Sequence, residues 1–386
     1  MVKHNYFLHI FLFLVTVFTT LMAGTELATN KFFFAGEFRQ TFDQLYHGIP
    51  FSFAFLLFLT VHEFGHYFTA RYYGVATSLP FYIPIFMPFF PINIGSFGAV
   101  IRIREVPKSR SVFFNIGVMG PLAGFVVALG LLVVGLLTLP PLEPTVFSIH
   151  PEYPDMFGGI PTADQFPPDA FVVSMGSNLL LGLLKMVLPI DAANLPPAHE
   201  MMHYPFLFVG FLVCFFTALN LLPIGQLDGG HVTYGLFGRK TAGIISRSMV
   251  VVLLLVGGRG LMWAQPNLEN PDLPWWWMMD AAVAVLLGLG FYVFVFSQIA
   301  PRLGMFRWVG MSVLLGLFQF SMNALLGPVE SNFLWLLYAF MAVRVIGVDH
   351  PSAQDEQPLN RTEKWMGYLA ILIFILCFTP DPMVIL

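Results

Sequence analysis

Charge is scarce in this chain. Lys, Arg, Asp and Glu make up 10% of its 386 residues, where soluble domains carry about a quarter, so a soluble globular enzyme is disfavoured from the start. Cysteine is scarcer still. Cys214 and Cys377 both lie inside apolar runs, form no metal-spacing motif and offer no disulfide framework. There is no long basic run, and the formal net charge is −4, which argues against nucleic acid as a partner. What the chain has in quantity is apolar sequence, at 57%. A membrane span needs about 20 predominantly apolar residues, so there is room for roughly eight to ten. The fold class expected is an all-α polytopic membrane protein with about 8–9 transmembrane helices.

Apolar runs cover residues 6–23, 49–73, 111–139, 204–222, 242–262, 275–300, 305–326, 333–348 and 365–378. The first is read as an uncleaved span. A signal peptide ending near Ala23 and Gly24 is the competitor, but the apolar core is longer than a signal h-region. The run 171–190 is interrupted by Gly176, Ser177, Asn178 and Lys185, and is expected to be a short interfacial or re-entrant helix. Three stretches are Pro-rich, at 80–91, 140–168 and 189–205, and read as loops. The domains expected are residues 1–48 as an N-terminal span and loop, 49–235 as a membrane core and 236–386 as C-terminal helices.

Cations near span ends set the orientation. Arg71, Arg102, Arg104, Lys108 and Arg110 follow the second run, and Arg239, Lys240 and Arg247 follow the fourth. Residues 140–170 hold Glu143, Glu152, Asp155, Asp164 and Asp169 without a Lys or Arg. Segments 71–110 and 223–247 are therefore expected in the cytoplasm and 140–170 outside.

The second run contains His62-Glu63-Phe64-Gly65-His66. On a helix, the i and i+4 spacing stacks His62 and His66 on one face, so both rings reach one ion. Glu63 lies about 100° round the helix, close enough to act on a water molecule without being a ligand. Ionisable groups inside a bilayer are costly and usually mark function. Catalytic zinc takes three protein ligands and keeps one position open. The candidates for the third are His231, Asp228, Glu105, His47 and the remaining loop histidines. Asp228 stands out, because a span ends at Pro223 and Gly225 just before it and glycines follow. A helix-capping aspartate is the competing explanation.

The pair His62-Glu63-x-x-His66 and Asn220-x-x-Pro223-x4-Asp228-Gly229 resembles the motifs of the site-2 protease family of intramembrane zinc metalloproteases. The stretch from Gly117 through Gly120-Pro121 to Gly124 is similar to that family's Gly-Pro segment. The resemblance covers about residues 50–235. It implies one Zn2+ per chain held by His62, His66 and Asp228, with Glu63 catalytic and Asn220 beside the reacting carbonyl. It also implies a transmembrane protein substrate and a part in regulated intramembrane proteolysis. Many members carry a PDZ module; no segment here resembles one, which leaves substrate selection unexplained. The loop charges place the active site towards the cytoplasm, and the compact chain with no obvious transit peptide is expected in a bacterial inner membrane.

A helical substrate shields its carbonyls, so the site needs something to hold it extended. Residues 95–104 alternate with a period of two, which predicts a strand, and the glycines and Asn93 before it predict a small β-hairpin near the cytoplasmic face. Gly98, Ala99, Val100 and Ile101 are the expected substrate-binding edge, pairing by strand addition. Gly117, Gly120 and Gly124 are expected to let the third span approach the catalytic helix closely, and Pro121 to kink it. Trp275-Trp276-Trp277 reads as an interfacial anchor. His4, His9, His47, His150, His199, His203 and His350 are read as lacking ligand spacing, solvated or interfacial. The rival function is a metal transporter using the same His/Asp/Glu cluster for permeation, which would need further polar groups along a path across the membrane.

Overall fold

The structure, a computed structural model, describes residues 6–34, 42–87, 93–167, 172–260, 276–327 and 333–385. The chain forms two compact units, Met1–Leu221 with Ala353–Leu386, and Leu222–Ser352. In chain order the first unit holds α1 (Tyr6–Thr29), α2 (Ile49–Tyr72), β1 (Phe81–Pro84), β2 (Ser96–Val100), α3 (Arg110–Leu137), α4 (Leu142–Ile149), α5 (Tyr153–Phe157), β3 (Val173–Met175), α6 (Leu179–Val187) and α7 (Pro205–Asn220). The second unit holds α8 (Asp228–Gly257), α9 (Trp276–Ile299), α10 (Met305–Leu326) and α11 (Phe333–Met341), the last continued by a π-helical turn, Ala342–Ile346. The chain then returns to the first unit with α12 (Arg361–Cys377) and β4 (Met383–Ile385).

Among the described residues five helices are long and apolar enough to cross a membrane: Tyr6–Thr29, Phe42–Tyr72, Arg110–Leu137, Asp228–Gly257 and Met305–Leu326. Shorter apolar helices follow the remaining runs at Pro205–Asn220, Val283–Ile299 and Leu334–Ile346. The chain is thus a polytopic helical membrane protein. Its first helix outlasts the apolar run that announced it, because threonine hydroxyls bond back one turn. Past the run, Thr25 donates to Leu21 (2.8 Å) and Thr29 to Thr25 (2.7 Å), so these polar side chains continue the helix with their hydroxyls bonded. The interruption at 176–178 is a helix cap: Asn178 accepts from the Leu181 amide at 2.9 Å and starts α6. Helix α8 begins well before the expected residue 242 and breaks at Gly238, where φ is +77°. Helix α3 runs through Pro121 as one element. Trp275 and the side chains of the two tryptophans after it lie outside the described residues.

In the first unit α2, α3 and α7 pack against one another. Helix α12 joins them through Glu363, which closes a capping box with Asn360 and accepts from Asn115 Nδ2 (2.7 Å) and Ser111 Oγ on α3. Cys214 on α7 and Cys377 on α12, both fully buried, share a thiol hydrogen bond. The segment before α12 is strapped to the start of α3, with the Arg110 amide on the Asp355 carbonyl at 2.8 Å.

Strands β1 and β2 pair antiparallel, Phe81 with Val100, Tyr82 with Ala99 and Pro84 with Ser96, with a register shift between the last two pairs. The strand expected over 95–104 therefore stops at Val100, and Ile101 lies past its end; beyond it only an isolated bridge joins Thr77 and Ile103. The partner strand sits inside the stretch read as a Pro-rich loop. The hairpin lies along α1, with His9 Nδ1 on the Pro80 carbonyl (3.0 Å), Thr19 Oγ1 on the Gly95 carbonyl (2.6 Å) and Asn93 Nδ2 on Glu26 (3.1 Å). From residue 9 to residue 26 a helix rises about 25 Å at ~1.5 Å per residue, most of the hydrocarbon thickness of a bilayer.

In the second unit α8 packs with α11 and α9 with α10. Its intramembrane polar groups are paired: Gln319 Nε2 donates to the Leu254 carbonyl at 2.8 Å, and Arg259 Nε to Asn323 at 3.1 Å. Each such group would cost several kcal/mol unpaired in lipid (about 1–3 in mutational data).

Candidate metal centre

Helix α2 carries His62, Glu63 and His66, all buried. His66 Nδ1–H donates to the Ile116 carbonyl of α3 at 2.7 Å. That bond assigns the tautomer, leaving the His66 Nε2 lone pair directed at His62 Nε2, 3.1 Å away. Two ring nitrogens this close, one of them held deprotonated, suit a cation between them. Zinc–nitrogen bonds of about 2.0–2.1 Å in a tetrahedron place neighbouring ligand atoms roughly 3.3 Å apart, so the donor pair fits the ion. The backbone carbonyl behind His66 is the kind of outer partner that orients metal-binding imidazoles.

The expected close approach of α3 is present. A Cβ built on Gly120 would lie 2.5 Å from His66 Cδ2, and one on Gly124 would lie 3.1 Å from His62 Nδ1. Facing them, a Cβ on Gly65 would meet the Met119 carbonyl at 2.7 Å. Asn220, the last residue of α7, brings Nδ2 to 3.4 Å from His62 Nε2. Tyr82 on β1 hydrogen-bonds Thr60 of α2 at 2.7 Å. Its hydroxyl pKa is pushed up, first by burial and further by the Glu63 charge, against the lowering effect of the Thr60 bond. The hairpin is therefore held one helical turn from the His-Glu-x-x-His face. On β2, Phe97 and Val100 are exposed, Ala99 is buried, and Gly98 has a φ of +99°. Among the described residues β2 pairs with β1 alone, leaving its other edge open.

The first unit thus brings together His62, Glu63, His66 and Asn220. Asp228 opens α8 in the second unit, in its first turn, with Leu227 at the N-cap position. It is therefore not the capping residue. Of the other third-ligand candidates, Glu105 is exposed, and His47 is half-buried against the Tyr46 ring. His231 Nδ1 meets His350 Nε2 at 2.6 Å.

The histidines read as solvated are a correction. His9, His150, His199, His203 and His350 are all buried; His4 lies outside the described residues. His199-Glu200-Met201-Met202-His203 repeats the His-Glu-x-x-His spacing, the signal that could have found it. It sits on a 3-10 turn, Met201–His203, where i and i+3 align in place of i and i+4. Glu200 and His203 consequently face the same way, towards His150, and these three offer ligand atoms all within 4.8 Å of one another. Burial pulls the His203 pKa down to about 4 and pushes that of Glu200 up, the latter opposed by His150.

A family model described as "Peptidase family M50" matches residues 50–262. Curated relatives include "Probable zinc metalloprotease EGY2, chloroplastic" of Arabidopsis thaliana, 28% identical over 62% of this chain and 37% of its own length. "Probable zinc metalloprotease EGY1, chloroplastic" of the same plant is 30% identical over 56% of this chain and 35% of its own. The Oryza sativa subsp. japonica protein of that name is 27% identical over 66% and 42%. The chain spans about two fifths of the length of the curated relatives it matches. No solved structure matches.

Proposed function

Because the chain belongs to peptidase family M50, we propose that it is an intramembrane zinc metalloendopeptidase, hydrolysing peptide bonds within or near transmembrane segments of membrane proteins. The observation that carries this is the His62–His66 pair: two Nε2 atoms 3.1 Å apart on the helix that also bears Glu63. His62 and His66 hold one zinc ion, and Asp228 is the third ligand, supported by its motif position and by its place in the first turn of α8 beside Gly229 and Gly230. Zinc bound there supplies a Lewis acid for the scissile carbonyl and for water. Glu63 takes the proton of the attacking water and returns it to the leaving amine. The Asn220 amide donates to the carbonyl oxygen as negative charge develops on it. Gly98, Ala99, Val100 and Ile101 hold the unwound substrate extended along the open edge of β2. Residues 49–235 form the catalytic core, and the substrates are membrane-tethered proteins processed in regulated intramembrane proteolysis. The family match leaves the transporter alternative without support.

Loop charge supports an orientation with the zinc site towards the cytoplasm; loop charge does not choose the membrane, for which a bacterial inner membrane is the expectation while the plant relatives are named as chloroplastic. Lys108 is exposed and both native thiols are buried, so one-sided labelling of Lys108→Cys decides the sidedness. The function is tested by zinc content together with cleavage of membrane-spanning model peptides by wild type, Glu63→Gln and Asp228→Ala. About one zinc at this site in wild type and Glu63→Gln, less in Asp228→Ala, and cleavage by wild type alone are expected. Cleavage by Glu63→Gln would defeat the mechanism. Full zinc in Asp228→Ala would remove that residue from the ligand set.

A further inference from the structure

We infer that His150, Glu200 and His203 form a second metal site, selective for a zinc-class divalent ion, at the end of the unit where α1 finishes. Two imidazoles and a carboxylate converge there. His150 Nε2 lies 3.3 Å from His203 Nε2, Glu200 Oε2 lies 3.6 Å from His203 Nε2, and the third side, Glu200 Oε2 to His150 Nε2, is 3.8 Å. A tetrahedral zinc ion with bonds of about 2.0–2.2 Å to nitrogen and oxygen needs edges of roughly 3.3–3.5 Å. The triangle is within a few tenths of an ångström of that.

The outer partners point the same way. His203 Nδ1 donates to the Leu27 carbonyl at the end of α1 (2.5 Å), and His150 Nδ1 donates to Glu152 (3.2 Å). Both Nδ1 protons are committed, so both Nε2 atoms present lone pairs to each other, an arrangement that is repulsive until a cation lies between them. A carbonyl or carboxylate behind each ligating imidazole is the usual second layer of a zinc site. Glu200 is 1% exposed, and its Oε2 has no hydrogen-bond partner. Its other oxygen accepts from Tyr153 at 3.1 Å, which fixes the carboxylate with Oε2 towards the two imidazoles. His199 Nε2, also buried and without a hydrogen-bond partner, lies 3.7 Å from Glu200 Oε1, on the side of the carboxylate turned away from the two imidazoles. A buried carboxylate facing bare imidazole nitrogens is costly as it stands and is satisfied by a metal. The ion would clamp α4, the 3-10 turn before α7 and, through His203, the end of α1.

The site is independent of the proposed catalytic one, and zinc stoichiometry separates them. The full chain is purified in detergent as wild type, Glu200→Gln, His150→Asn and His66→Asn, and zinc per chain is measured by mass spectrometry alongside thermal unfolding. About two zinc ions are expected in wild type and about one in each variant. Glu200→Gln keeps the shape and the Tyr153 bond, so a purely hydrogen-bonded cluster would leave its zinc count unchanged. Wild-type zinc in folded Glu200→Gln and His150→Asn overturns the second site. One ion in wild type, lost in Glu200→Gln and kept in His66→Asn, supports it and overturns the catalytic centre instead; the reverse pattern does the opposite. Should Glu200→Gln and His150→Asn fail to fold, Co2+ titration of wild type and folded His66→Asn decides: visible absorption that saturates near two equivalents in wild type supports the site. Saturation near one equivalent in wild type and none in His66→Asn overturns it.

Discussion

Substituting Gly120 by alanine adds one methyl group and nothing else, in the place where α3 touches the His66 ring. The new carbon would collide with Nε2 itself and lie 2.5 Å from Cδ2, against an ordinary contact of about 3.4 Å, so ring or helix must give by more than about 1 Å. The ring has no free direction, because the Ile116 carbonyl that holds its Nδ1 belongs to the same helix that carries the intruding methyl. Moving away breaks that bond, at about 1 kcal/mol or more. It also displaces Nε2 by several times the ~0.2 Å that metal–ligand distances tolerate. Loss of an outer-layer partner alone typically weakens metal binding 10–100-fold, so Gly120→Ala should weaken zinc at the catalytic site by at least about that factor, with cleavage falling in parallel. Gly130→Ala is the matched control: it lies in the same helix, a Cβ there meets nothing within 4 Å, and helix propensity favours it by up to about 1 kcal/mol. Chelator competition gives the zinc affinity, a membrane-spanning peptide gives the activity, and thermal unfolding checks the fold. Wild-type zinc affinity and activity in Gly120→Ala would refute the placement of His66 against α3.

Asn220→Ala should lower kcat by about 10²–10³ with little change in KM if its amide donates to the developing oxyanion; an unchanged kcat with reduced thermal stability would make it a helix-packing residue. Model substrates N-methylated at alternate residues beside the scissile bond should lose cleavage at least tenfold if they pair with the edge of β2, and cleavage indifferent to methylation would remove strand addition. Glu363→Ala strips Asn115 and Ser111 of their acceptor and removes the α12 capping box. Unfolding measurements should show a loss of about 2–3 kcal/mol, and a loss under 0.5 would show that water replaces the carboxylate.

What could be read from the chain in advance divides by whether one element carries the signal. Apolar length located α10 to the residue and α2 to within one, because lipid imposes the span and leaves little choice of ends. The i, i+4 spacing of His62 and His66 was legible for the same reason: the helix does the geometry. Gly120 announced close packing but not that its neighbour would be the His66 ring. Strand β1 was hidden by Pro84 and its neighbours, since a proline-rich stretch reads as loop until a partner edge is known. The convergence of His150 with Glu200 and His203 was hidden more deeply. It depends on a fifty-residue excursion returning to its start, and on a 3-10 turn that replaces the α-helical face with a three-residue one.

The bond from His203 to the Leu27 carbonyl also dates the assembly of the first unit. The two residues are 176 apart, so at roughly 5–20 residues per second of synthesis the end of α1 is made roughly 9–35 s before the ring that secures it. Thr20 and Ser52, which tie α1 to α2 at 2.7 Å, are only 32 apart and can meet almost at once. The hairpin follows along α1, then α3, and the latch closes when the chain has emerged as far as α7, before α12 and β4 return to complete the unit. A nascent chain stalled before residue 203 would hold a docked α1–α2 pair whose far end is still open, and crosslinking between α1 and the 138–204 segment should appear only in longer chains.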